Sequence, residues 1–383
     1  MKEGIVLPNY DHSILNLITS ILKYYNVETN HSSLKNLDEI LQKRYKNVIM
    51  LVLDGMGEHI LNKISPQGYF NNHKLDCITS VYPSTTTAAL TTYYSGKPPY
   101  ESGWIAWSQY FKEYGRAVDM LSHMESYKRE SIKDANLNVF ESIVNYKPIF
   151  ERIEEASPNI KAYELTPSYS DKRAKRSIRA DSLDEIIANI EMLCKNPEEK
   201  FIFAYSDNPD GLLHKFGTTS QEAKEFITNA ENKIANMCEN LPEDTVLIIS
   251  ADHGHRDIEK AYTILDYPEI QECLILPASL ESRFLSFWVK ENIKKEFEER
   301  FYKTFGEEFL LLKKEELLDK HLLGYGEKHP KIDDFIGNYV AISIASSMIR
   351  LETFLAEGKK VKKSTHCGLT KEEMEVPMIV IKK

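Results

Sequence analysis

Asn47-Val-Ile-Met-Leu-Val-Leu53 is an unbroken apolar run that stops at Asp54-Gly55. A strand without alternation is buried on both faces, the environment of parallel sheets covered by crossover helices. The pattern recurs at Cys77 to Tyr82, Lys200 to Tyr205 and Thr245 to Ser250, each followed by polar residues. Helical stretches separate most of these runs, and one is signposted by Ser182 and Glu185, spaced as a capping box before Ile186, Ile187 and Ile190. Strands alternating with helices predict right-handed crossovers and an α/β fold with a mainly parallel central sheet flanked by helices. Upstream, Asp11 is the expected cap of a helix running to about Tyr25, and a second amphipathic piece covers Leu34 to about Arg44.

The texture changes past His255. Arg283 to Val289 reads as a strand, Glu291 to Tyr302 as a helix, Glu308 to Leu312 as a strand and Lys314 to His321 as a helix. That block predicts a small inserted α+β subdomain, residues 258–337, within a core made of 1–257 and 338–383. The chain returns through Tyr339 to Ile344 and closes with Val376-Pro-Met-Ile-Val-Ile381, preceded by a Thr370/Glu373 capping-box spacing.

Composition narrows the partners. Forty-eight Lys plus Arg against 58 Asp plus Glu leave a net charge of −10, which repels polyanions and disfavours duplex nucleic acid. No stretch approaches ~18 consecutive apolar residues, and the first residues lack a basic start followed by an apolar run, so a cytoplasmic chain without a membrane partner is expected. The five cysteines are odd in number, scattered and without a CxxC pair, so neither a disulfide framework nor a thiolate zinc site is expected.

In an open parallel sheet, ligands bind beyond the carboxyl ends of the strands. Here those ends carry Asp54, then Asp210 with His214 four residues on, then Asp252-His253. An aspartate at a strand end usually caps a helix or turn. Several together repel one another unless cations sit among them, and Asp and His donors without thiolates suit zinc, manganese or iron better than calcium. Between them Tyr82-Pro-Ser-Thr-Thr-Thr-Ala runs into a helical stretch closing at Gly96. A threonine there is either a plain N-cap or a nucleophile at the positive end of a helix.

Read in order, Leu53-Asp-Gly-Met, Tyr82-Pro-Ser-Thr-Thr-Thr, Asn208-Pro-Asp-Gly-Leu-Leu-His214, Ala251-Asp-His-Gly254 and Thr365-His-Cys-Gly-Leu-Thr-Lys-Glu-Glu-Met374 resemble the type I phosphodiesterase/nucleotide pyrophosphatase family of the alkaline phosphatase superfamily. The resemblance spans about residues 45 to 383 and rests on five motifs in sequence order. It implies an alkaline phosphatase-like core and two divalent ions, zinc first and manganese second. One ion would be held by Asp54, Thr86, Asp252 and His253, the other by Asp210, His214 and His366. It implies Thr86 as nucleophile, three residues after Pro83, with Thr85 and Thr87 as alternatives, and a phosphothreonine intermediate. The expected substrate is a small phosphorylated molecule, cleaved as a phosphodiester or nucleotide pyrophosphate. Thr87-Ala-Ala-Leu stands where nucleotide-hydrolysing members carry an aromatic-Pro-Asn segment, which leaves nucleotide preference open.

Other readings are weaker. Gly55-Met-Gly57 is half a dinucleotide fingerprint with Ile60 at its third glycine position. Cys77-Ile-Thr-Ser-Val lacks the proline and arginine of a sulfatase site, and phosphoglycerate mutases of this superfamily use serine. Phosphonoacetate hydrolysis, phosphomonoester hydrolysis and a non-catalytic metal-binding module remain as alternatives. His255 could touch substrate or a metal, with an exposed loop residue as the expected reading; Cys367 is expected to be a packing residue rather than a ligand; and Lys172 to Arg179 is expected to be a solvated basic run, the alternative being a loop over the site that meets an anionic substrate. Trp104 and Trp107 are expected either to line a pocket or to pack the core.

Overall fold

A computed structural model describes residues 4–135, 137–351 and 361–383. The main sheet has seven strands in the order Lys74–Thr79, Glu375–Lys382, Thr245–Ser250, Asn47–Leu53, Lys200–Ser206, Lys161–Thr166, Arg176–Arg179. The five strands from Thr245–Ser250 to Arg176–Arg179 run parallel. Glu375–Lys382 lies antiparallel to both its neighbours, so the sheet is mixed. The apolar run Asn47–Leu53 is buried at every residue, as its composition requires, and lies at the centre.

Helices cover both faces through one large apolar core. Half of the capping box at Ser182 forms, its hydroxyl accepting from Glu185 N at 3.2 Å ahead of the Leu183–Cys194 helix, while the Glu185 carboxylate reaches past Ser182 to accept from Asp181 N at 2.6 Å. The first helix is Ile14–Tyr24 and its cap is Ser13, not Asp11. Asn16 accepts from both the N–H and the hydroxyl of Ser13 at 2.8 Å, while the Asp11 carboxylate takes the hydroxyls of Ser32 and Tyr325. The strand expected at Cys77 to Tyr82 ends earlier, at Thr79. Ser80 N bonds instead to Met374 O, which turns the chain toward the threonine-rich helix Thr86–Ser95.

The second sheet is antiparallel, in the order Phe309–Lys313, Tyr339–Ser343, Phe284–Val289, Leu274–Glu281, Ser108–Phe111, Arg116–Asp119, Met124–Glu125. Residues 258–337 supply three of these strands, and the others come from 108–125 and 339–343. The helix Lys294–Phe305 packs Phe297, Phe301 and Phe305 against this sheet, an i, i+4, i+8 stripe of aromatic rings. Among the described residues no helix is long and apolar enough to cross a membrane.

One ion pair joins the two sheets. Arg283, at the start of Phe284–Val289, gives two parallel bonds of 2.7 Å to the Glu373 carboxylate, and both side chains are completely buried. Glu373 also accepts from Gly368 N and the Thr370 hydroxyl, at 2.7 and 2.6 Å, closing the capping box before the last strand. Removing one partner strands the other charge away from water, a loss of about 3–5 kcal/mol. Glu373→Ala is expected to lower unfolding free energy by that order in urea titration, whereas Glu155→Ala, in an exposed pair with Lys147, should change it by less than about 1 kcal/mol.

Candidate metal centre

Strand register brings the acidic residues to one edge. Asn47–Leu53 pairs with both Lys200–Ser206 and Thr245–Ser250, so Leu53 lies level with Ser206 and Val52 with Ser250. Asp54, Asp210 and Asp252 follow within a few residues of those ends. Two glycines let the loops touch. A β-carbon on Gly57 would lie 2.5 Å from the Gly254 α-carbon, and one on Gly254 would lie 2.0 Å from the Glu372 carbonyl oxygen. Hydrogen bonds from Asp210 N to Asp54 O at 3.0 Å and from Gly55 N to Asp252 Oδ1 at 3.0 Å lock the arrangement.

The first cluster is Asp54, Asp252 and His253, all buried. Asp252 Oδ1 is occupied by two backbone N–H groups, those of Gly55 and His253, while Oδ2 has no partner. Asp54 Oδ2 takes the Tyr205 hydroxyl, while Oδ1 has no partner. Both orphaned oxygens face Nε2 of His253, at 3.4 Å from Asp54 and 3.3 Å from Asp252. Nδ1 of that ring lies 3.0 Å from the Gly254 carbonyl and donates to it, so in the neutral ring Nε2 is an acceptor. Thr86, at the first turn of its helix, places Oγ1 3.2 Å from His253 Nε2 and 3.4 Å from Asp54 Oδ2. A single hydroxyl proton cannot serve these converging acceptors, and a cation can.

The second cluster gathers at Asp210, where donor nitrogens of His253, His255 and His366 lie within 4.8 Å of the carboxylate and of one another, with His214 beside it. His214 Nδ1 donates to Ser364 O at 2.7 Å and His366 Nδ1 to Ser84 O at 3.1 Å, leaving both Nε2 atoms as acceptors. Those atoms lie 3.4 and 3.8 Å from Asp210 Oδ1. The Lys362 ammonium reaches His214 Nε2 at 2.9 Å, so the chain supplies part of the missing positive charge itself. The His253 and His366 rings stack with centroids 3.8 Å apart, which ties the clusters together. Burial holds the His214 ring down at about 3 and keeps His366 well below its usual value, so these rings are neutral. Burial, reinforced by the charges of Asp252 and Asp210, raises the Asp54 carboxyl well above the carboxylate range. Bound cations would reverse that pressure. Buried imidazole nitrogens and carboxylates in two adjoining sets fit a pair of divalent ions.

His255 corrects the sequence expectation. It is fully buried, and its Nε2 lies 2.7 Å from Asp210 Oδ1. Pairing of Arg256–Asp257 with Ser364–Thr365 folds its loop inward, a long-range event that no local pattern announces. Tyr205 went unnoticed for a different reason: it lies inside an apolar run, where a tyrosine looks like core. Trp104 is core, with Nε1 donating to Val144 O at 2.8 Å, whereas Trp107 lines the cavity at Thr86. The basic run is split. Arg176–Arg179 is an edge strand, while Arg173 is largely buried with its guanidinium 4.3 Å from the Phe140 ring centroid. Cys367 is buried, as expected.

Two cavities open on Thr86. One, about 370 Å³, is lined by Trp107, Arg129, Glu281, His214, Lys362 and His366. The other, about 430 Å³, lies beside Asp54 and includes Leu90, Tyr94, Tyr169, Arg173 and Tyr205.

No curated protein sequence matches the chain. Murine ectonucleotide pyrophosphatase/phosphodiesterase 5, in an inactive form complexed with AMP, aligns with a TM-score of 0.64 at 14% identity, covering 88% of this chain and 87% of that one. The human counterpart gives 0.64 at 15% identity over the same shares. Phosphonoacetate hydrolase from Sinorhizobium meliloti, complexed with phosphonoformate, gives 0.63 at 16% identity, covering 88% of this chain and 90% of that one. Such low identities establish a shared fold. The family itself is established by the sequence model for type I phosphodiesterase/nucleotide pyrophosphatase, which matches residues 48–316. With most of its length matched, the chain, whose fold is alkaline phosphatase-like, belongs to the type I phosphodiesterase/nucleotide pyrophosphatase family.

Proposed function

We propose that the protein is a two-metal phosphoester hydrolase that cleaves small phosphodiesters or nucleotide pyrophosphates through a phosphothreonine at Thr86. The observation that carries this reading is the placement of one hydroxyl against converging acceptors: Thr86 Oγ1 touches both Asp54 and His253 and opens onto the two cavities. Asp54, Asp252 and His253 would hold one ion with Thr86, and Asp210, His214 and His366 the other. Bound there, zinc or manganese would lower the hydroxyl pKa and neutralise charge on the attacking and leaving oxygens.

The chain's own groups do the positioning. Asp54 is fixed by Tyr205 and in turn fixes the direction of Thr86. Thr86 heads a ten-residue helix whose first turn offers backbone N–H groups and the positive end of a dipole to the phosphoryl oxygens. In-line attack forms the Thr86 Oγ–phosphorus bond as the leaving oxygen departs, and water then cleaves the phosphothreonine ester to free the enzyme. AMP bound in the murine relative supports a nucleotide-like substrate. Arg129 and Lys362 in one cavity favour a second reading, a substrate with an additional acidic group such as a phosphonocarboxylate.

Zinc- or manganese-loaded protein is expected to hydrolyse bis-p-nitrophenyl phosphate faster than the p-nitrophenyl monoester. Thr86→Ala should lower turnover at least about a thousandfold without changing the melting temperature. A competent Thr86→Ala enzyme would remove the nucleophile assignment. Chelation should abolish turnover, and added metal restore it. Metal uptake with no turnover on phosphoester, phosphonate or sulfate substrates would instead mark a binding module.

A further inference from the structure

His255 has no place in the ligand set above, yet its ring hangs between two partners whose polarity can be assigned. On one side the Ser364 hydroxyl gives its single proton to the Leu213 carbonyl at 2.7 Å, so it offers His255 only lone pairs. Nδ1 of His255, 3.0 Å from that hydroxyl oxygen, therefore carries a hydrogen. A neutral ring protonated there leaves Nε2 bare, 2.7 Å from Asp210 Oδ1, itself an acceptor. Two acceptors that close require positive charge, supplied either by a second ring proton or by a metal ion.

The surroundings favour the metal. The same Asp210 oxygen has three imidazole nitrogens around it, at 2.7 Å for His255, 3.4 Å for His214 and 3.8 Å for His366. Donors held by one tetrahedral ion at ~2.0–2.1 Å lie about 3.4 Å from one another, a value these separations bracket. Resting on the two-metal reading, we propose that His255 is a further ligand, which makes the Asp210 site a four-donor set of Asp210, His214, His255 and His366. Four protein donors hold an ion more firmly than three, and expansion to five-coordination would still admit a substrate oxygen. The Asp54 cluster, with fewer protein donors and a hydroxyl to activate, is the more exchangeable site.

The test uses the whole chain. After loading with zinc and dialysis to one ion per chain, X-ray absorption is expected to count three imidazole nitrogens on the retained ion, and a count of two would overturn the proposal. His255→Ala and His255→Gln should release that ion to a chelator at least about tenfold faster, leaving the other ion's release unchanged. Glutamine can still donate a hydrogen bond to Asp210, so wild-type retention in His255→Gln would assign His255 to orienting Asp210 and overturn its role as a ligand. Wild-type protein that takes up no zinc would remove the proposed function along with this inference. Wild-type protein that holds two ions and hydrolyses diester, with both variants indistinguishable from it, would remove this inference alone.

Discussion

Lone pairs that face one another with no proton between them are the constraint on which this architecture turns. Each cluster histidine has its Nδ1 hydrogen committed to a backbone carbonyl or a hydroxyl, so every Nε2 arrives at the centre as an acceptor. Orphaned oxygens of Asp54 and Asp252 arrive there too. In a buried setting such an arrangement is unfavourable by itself, which means that the surrounding fold must hold the donors against their own repulsion. The chain is preorganised for positive charge.

The fold meets that demand through rigid attachments. The donors sit just past the ends of central strands whose residues are entirely buried, and backbone hydrogen bonds run from loop to loop. Gly57 and Gly254 allow two of those loops an approach that any side chain would block. The second sheet contributes from outside: Arg283 anchors Glu373, Glu373 holds Gly368 N, and His366 lies two residues from that bond. The same carboxylate therefore serves the joint between the sheets and the position of a histidine donor.

Much of this was legible in residues 47–53, 200–206 and 245–250, because a continuous apolar run ended by aspartate encodes both a buried strand and what lies at its tip. The N-cap at Ser182 and the capping box at Thr370 were legible for the same reason, since each is a local pattern read by adjacent backbone. What escaped was long-range. His255 turns inward only because Arg256–Asp257 pairs with a segment more than a hundred residues away. Ser108–Phe111 joins the antiparallel sheet through a single register pair with Leu280, and strands that short carry little periodicity of their own. The reversed direction of Glu375–Lys382 is equally silent in composition, as an apolar strand buried between neighbours looks alike in either orientation.

That reversed strand has a temporal consequence. It fills the place between Lys74–Thr79 and Thr245–Ser250, so a chain emerging N-terminus first exposes an unsatisfied backbone ladder on Thr245–Ser250 until residues 375–382 appear. His366 is delivered by the segment leading into that strand. Maturation of the centre and closure of the sheet are thus one event in biosynthesis, and incomplete chains would carry an open, association-prone margin together with an unfinished cation pocket.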